Sequence, residues 1–117
     1  MVLCASTGAG HLYKEKEYQS VWCSEHGGIT EYVLDDRSRV DCLLPDIVVE
    51  FDFAAKWAES IGQAIYYGLK TNKKPAIVLI LENPQKDKKY LKRLKKVADT
   101  YGITVYSITP KHLTTEP

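Results

Sequence analysis

The feature that most constrains this chain is the unbroken apolar run from Ala76 to Leu81, which has an amphipathic segment on each side. Six consecutive apolar residues are too few for a buried helix, and they read as a strand covered on both faces. Such a strand needs helices on both sides of its sheet, and the flanking segments supply them. Trp57, Ile61, Ala64/Ile65 and Gly68 form one stripe of a helix predicted over Ala54 to Leu69, ended by Asn72 to Pro75. Tyr90/Leu91, Leu94, Val97/Ala98 and Tyr101 form the inward stripe of a second helix over Lys86 to Tyr101, capped by Gly102.

The rest of the chain adds one helix and four more strands. From about His11 to Ser24, Leu12, Glu15, Tyr18/Gln19 and Trp22 recur at helical spacing, and Gly27-Gly28 stops the pattern. Ile29 to Leu34 and Arg39 to Leu44 are strand-like runs joined by Asp35-Asp36-Arg37-Ser38, a hairpin pattern. Pro45-Asp46 breaks the chain before a third strand, Ile47 to Asp52, and Thr104 to Ile108 reads as a closing strand. The expected order is α-β-β-β-α-β-α-β: an α/β chain with a mixed sheet flanked by helices. Strands separated by a helix are expected to be parallel. At 117 residues there is room for one domain, read as 11–110 behind a flexible N-terminus at 1–10. Gly8-Ala9-Gly10 precedes a helix but follows no strand, so it reads as flexible terminus and not as a phosphate loop.

Composition narrows the partners. A net charge of +1 gives no global attraction to nucleic acid or membrane. Local patches remain: Lys86, Lys88, Lys89, Lys92, Arg93, Lys95 and Lys96 in one segment, and Lys70, Lys73 and Lys74 in another. The first reads either as a solvated face or as a tracker of phosphates. No run approaches the roughly 20 apolar residues of a membrane span, so no membrane partner is expected. The opening MVLCASTGAG has no basic n-region and too short an apolar stretch for a signal peptide; the compartment stays open, with the cytoplasm as the first expectation. If it is the stub of a removed leader, the protein is exported. Cys4, Cys23 and Cys42 are an odd set without a CxxC pair. They read first as small buried hydrophobes, with a Cys23–Cys42 disulfide, and hence export, as the competitor. Cys23-x-x-His26 is half of a zinc pattern with no second half.

The chemistry concentrates on the third strand. Alternation puts Ile47, Val49 and Phe51 on one face and Val48, Glu50 and Asp52 on the other. Two carboxylates at i and i+2 on a central strand call for compensation, and hard oxygen ligands suit magnesium or manganese. Asp41, on the neighbouring strand, can face the same spot. In the plainer reading Asp52 caps the next helix and Glu50 pairs with Arg39 or Lys56. Lys56 follows within a turn of Asp52; it would orient or deprotonate an attacking water, or simply pair with Glu50 or Glu59.

Together the element order, an aspartate on the second strand and a glutamate on the third resemble the PD-(D/E)XK nuclease superfamily, over roughly residues 11–108. The resemblance implies a restriction-endonuclease-like three-layer core and hydrolysis of DNA phosphodiester bonds with Mg2+ or Mn2+. Asp41 and Glu50 match the two metal-binding acids, and Asp52 would join them. Arg39-Val40-Asp41 looks like the Arg-hydrophobic-Asp run of RecB-type domains. Gln63-Ala64-Ile65-Tyr66-Tyr67 is similar to their Gln-x-x-x-Tyr motif, which makes Gln63 catalytic and Tyr67 a DNA contact. Glu15 matches the first-helix glutamate of Holliday-junction resolvases, with Glu17 as its rival. The family expects lysine where Asp52 stands, and Lys56 looks like its replacement; otherwise the chain is a silent binding module. Lys88 and Lys92 would contact DNA, and a symmetric pair of chains would act on two strands.

Overall fold

In the computed structural model, which describes residues 10–114, the first helix is α1 (Glu15–Glu25). Three strands follow: β1 (Ile29–Val33), β2 (Arg39–Leu43) and β3 (Ile47–Phe53). A single 3-10 turn (Ala54–Lys56) leads into α2 (Trp57–Thr71), β4 (Lys74–Ile80), α3 (Pro84–Tyr101), β5 (Thr104–Ile108) and a short α4 (Pro110–Thr114). The five strands form one sheet in the order β1-β2-β3-β4-β5. Its first three strands are an antiparallel meander, and β3, β4 and β5 are parallel. The expected sequence of elements is present, with α4 added after it. Most of the stretch read as a flexible terminus, including Gly8 and Ala9, lies outside the described residues.

Helices cover both faces. Val49 and Phe51 of β3 and Ala76, Val78 and Ile80 of β4 pack with Tyr18 and Trp22 of α1, and Leu113 of α4 closes this core. On the opposite face Ile77, Leu79 and Leu81 pack with Ala64 of α2 and with Leu94 and Ala98 of α3. Val48 packs there with Val40 and Tyr67. The apolar run therefore alternates between two cores, as its lack of polar positions requires. Each fully buried side chain of this kind contributes about 1.5–3 kcal/mol.

The differences from the sequence reading include two helix starts and one residue read as inward. α1 begins at Glu15, not near His11. The backbone amides of Leu12 and Tyr13 bond to the Glu82 carboxylate, which holds that stretch off the helix axis and leaves Leu12 65% exposed. α3 begins at Pro84, where Asn83 accepts from the Lys86 amide and proline occupies the first turn. The Asn83-Pro84 pair was the signal for that start. Tyr101, read as inward, lies 65% exposed on the last turn. Beyond it Gly102 takes the left-handed conformation expected of the cap, with φ 68°.

Cys23 and Cys42 form a disulfide, which corrects their reading as free buried hydrophobes; Cys4 lies outside the described residues. The bond ties α1 to β2 across 19 residues of sequence. Closing a loop of that length contributes about 3 kcal/mol by restricting the unfolded chain. Gly28 lies against it: a Cβ there would stand 2.6 Å and 2.7 Å from the two sulfurs.

A candidate acidic active site

Strands β2 and β3 are paired at only two positions, Cys42 with Val49 and Leu43 with Val48. Continuing that register would bring Asp41 opposite Glu50, and there side chains replace the backbone ladder. The Asp41 amide donates to Glu50 Oε2 at 3.1 Å, and the Phe51 amide donates to Asp41 Oδ2 at 2.8 Å. Buried amides without a ladder partner must find another acceptor. The two carboxylates supply it, each accepting an amide of the opposite strand across the gap.

The gap opens into a cleft of about 260 Å3. Asp41 and Arg39 reach it from β2, Glu50 and Asp52 from β3, Glu15 from the first turn of α1, and Lys56 from the 3-10 turn. Glu59, Gln63 and Tyr67 line it from α2 at four-residue spacing, one stripe of a helix. Of the residues singled out in the sequence, Glu15, Asp41, Glu50, Asp52, Lys56, Gln63 and Tyr67 thus share one cleft. Lys88 and Lys92 do not: they are exposed on α3 and do not line it. Glu17 is engaged in a capping box with Lys14 at the start of α1, so Glu15 is the helix acid that faces the cleft.

The plainer pairings are not formed. Arg39 pairs with Glu31 at 3.4 Å, and among the described residues no ion pair joins Lys56 to Glu50 or Glu59. Asp52 accepts from the adjacent Phe53 amide and caps no helix. The four acids therefore lack a directly bound cation, and their protons are held accordingly. Burial, then the charge of Asp41, pushes Glu50 far above the carboxylate range. Burial raises Asp41 too, against the lowering effect of its bond from the Phe51 amide. Asp52 is pushed up to about 6 by burial, with Lys56 opposing. Glu15 rises to about 7 through burial and the charges of Asp41 and Asp52.

Three residues of the site were not found by sequence reasoning. Gln19, 3% exposed, donates its side-chain amide to the Asp41 carbonyl at 3.0 Å and to Glu31 Oε2 at 2.6 Å. A glutamine on the inward stripe beside Tyr18 was the available signal. Glu31 interrupts β1 in a left-handed conformation, φ 54°, uncommon for a residue with a side chain; no local pattern marks it. Glu59 lies one turn before Gln63, and that spacing could have revealed it. Cys23 is excluded as a zinc ligand by its disulfide.

The donor chemistry of the cleft, hard carboxylate oxygens without a bound ammonium or guanidinium, fits Mg2+ or Mn2+. Among the described residues, however, no three His, Cys, Asp or Glu side chains form a ready-made cage. Asp41 and Glu50 each already accept a backbone amide, so binding an ion would draw further oxygens inward. No helix of the described residues is long and apolar enough to cross a membrane. No family model, curated protein or solved structure matches the chain.

Proposed function

We propose that the cleft is the active site of a divalent-metal-dependent nuclease of the PD-(D/E)XK kind, hydrolysing DNA phosphodiester bonds. One observation carries this reading: β2 and β3 part where Asp41 and Glu50 meet, and this opening lies beside Lys56 and Gln63. Asp41 and Glu50, with Asp52, would hold the ion. When bound, it supplies an activated water and neutralises charge on the phosphate. Lys56 is exposed and without a direct acidic partner among the described residues, so its ammonium is available to steer the water and offset phosphate charge. Gln63 would position the water or the phosphate, Glu15 would accept a proton, and Tyr67 would line the path of the strand. The restriction-endonuclease-like fold belongs to the same proposal, supported by the meander followed by parallel strands. The disulfide favours work in an oxidising compartment over the cytoplasm. A symmetric homodimer would let two clefts act on two strands, and sedimentation with and without DNA tests it.

The test is cleavage of plasmid and oligonucleotide DNA with Mg2+ or Mn2+ against a chelator control. Metal-dependent cleavage that Glu50→Gln abolishes is expected. Binding without cleavage under any metal would favour the silent module, for which the replacement of the family's lysine by Asp52 is the specific argument. Neither binding nor cleavage would leave the acids an ionisable network only.

A further inference from the structure

A second groove, about 610 Å3, runs beside the acidic cleft, lined by residues 10–14, Glu15, Glu17 and Phe53. Glu15 belongs to both spaces, and Phe53 ends the strand that carries Glu50 and Asp52. The floor of the groove is fixed. Glu82, two residues past the end of β4, accepts from the Leu12 and Tyr13 amides, from the Tyr18 hydroxyl at 2.6 Å and from His11 Nδ1 at 2.9 Å. The His11 ring lies flat on Phe53, centroids 3.5 Å apart and planes within 9°. Its side chain is nevertheless 41% exposed, and Leu12 beside it is 65% exposed. A stack held this firmly and left open to water is a platform rather than core. Glu15 and Glu17 outweigh the single cation, Lys14, on its lining and make the groove unsuitable for a bare phosphate. A flat, uncharged ring with polar edges suits it.

We propose that this groove is a stacking subsite for an unpaired nucleobase adjoining the phosphodiester in the acidic cleft. The inference rests on the nuclease reading and names its substrate class: single-stranded DNA, or a frayed or branched end. A paired base is stacked between its neighbours and must leave the helix before it can lie on His11. Stacking on an aromatic platform discriminates by about tenfold or more per base.

The test uses labelled single-stranded and duplex oligonucleotides, with Mn2+ for cleavage and Ca2+ for binding by fluorescence anisotropy. A single abasic residue is moved along the strand. The parent should prefer single strands by about tenfold, and one abasic position next to the cut should remove that preference. His11→Ala should raise KM on single strands by a similar factor and become indifferent to the abasic position, while His11→Phe restores the sensitivity. Thermal melts verify that both variants fold. Cleavage with a flat abasic scan, or with duplex preferred, overturns the subsite and leaves the nuclease reading standing. A parent that neither binds nor cuts any DNA overturns both.

Discussion

Replacing Glu50 with glutamine keeps the side chain's shape and its acceptor for the Asp41 amide while removing the ionisable carboxyl. In the parent, a 3% exposed Glu50 is pushed far up by burial and by Asp41. The folded chain therefore retains a proton that the unfolded chain releases near pH 4. For a carboxylate raised in the folded state, stability is highest below the unfolded value and is lost as pH rises toward the folded one. Each retained proton removes up to about 1.4 kcal/mol per pH unit across that window. The Asp41–Glu50 pair should then weaken the metal-free protein by about 2–3 kcal/mol between pH 5 and pH 7. For a domain of this size that lowers the melting temperature by roughly 10 °C. Asp52 and Glu15, raised to about 6 and about 7, act in the same direction over the lower part of the range. Melts of parent and Glu50→Gln in chelator at pH 5, 6, 7 and 8 isolate the Glu50 contribution. The variant should melt higher than the parent at pH 7 and show a shallower fall with pH. Manganese should restore the parent, by about 2.7 kcal/mol at a hundredfold excess over Kd, and leave the variant unmoved. A parent melting temperature that is flat or rising from pH 5 to pH 7, or an equal slope in the variant, would refute the reasoning.

Lys56→Met should fold normally and cleave about 100-fold more slowly, with manganese affinity in calorimetry kept or increased because a competing charge is gone. If DNA is tracked by α3, Lys88→Glu, Lys92→Glu and Lys96→Glu together should flatten the salt dependence of DNA affinity; an unchanged slope returns the helix to a solvated face. Gly28→Ala should cost as much as losing the disulfide, about 3 kcal/mol, because its Cβ would fall 2.6–2.7 Å from both sulfurs. Melts with and without reductant check this: reductant should lower the parent and leave the alanine variant unchanged.

Much of the fold was legible because local and global demands agree. The Ala76–Leu81 run has no polar position, so it could only be covered twice, and Gly102 marked the end of α3 by backbone geometry alone. What escaped was set at long range. The start of α1 depends on Glu82, some seventy residues away, which binds the amides of Leu12 and Tyr13. In the sequence the Cys23–Cys42 pair is only the competitor to free thiols, because the choice depends on α1 lying across β2, which no spacing of the cysteines encodes. In the site, Asp41, Glu50, Gln63 and Tyr67 were visible through strand alternation and helical spacing together with family resemblance. Gln19 and Glu31 were not, because their role is to brace Asp41 through contacts between elements. The position of Lys88 and Lys92 outside the cleft likewise follows from where α3 packs, not from their clustering.

The central claim, that Asp41 and Glu50 hold a divalent ion, is tested most directly by anomalous diffraction from crystals soaked in manganese. A peak about 2.0–2.2 Å from carboxylate oxygens of both residues, absent in Glu50→Gln, is the expected result. No peak in the cleft at millimolar manganese, or one that remains in the variant, would contradict the account.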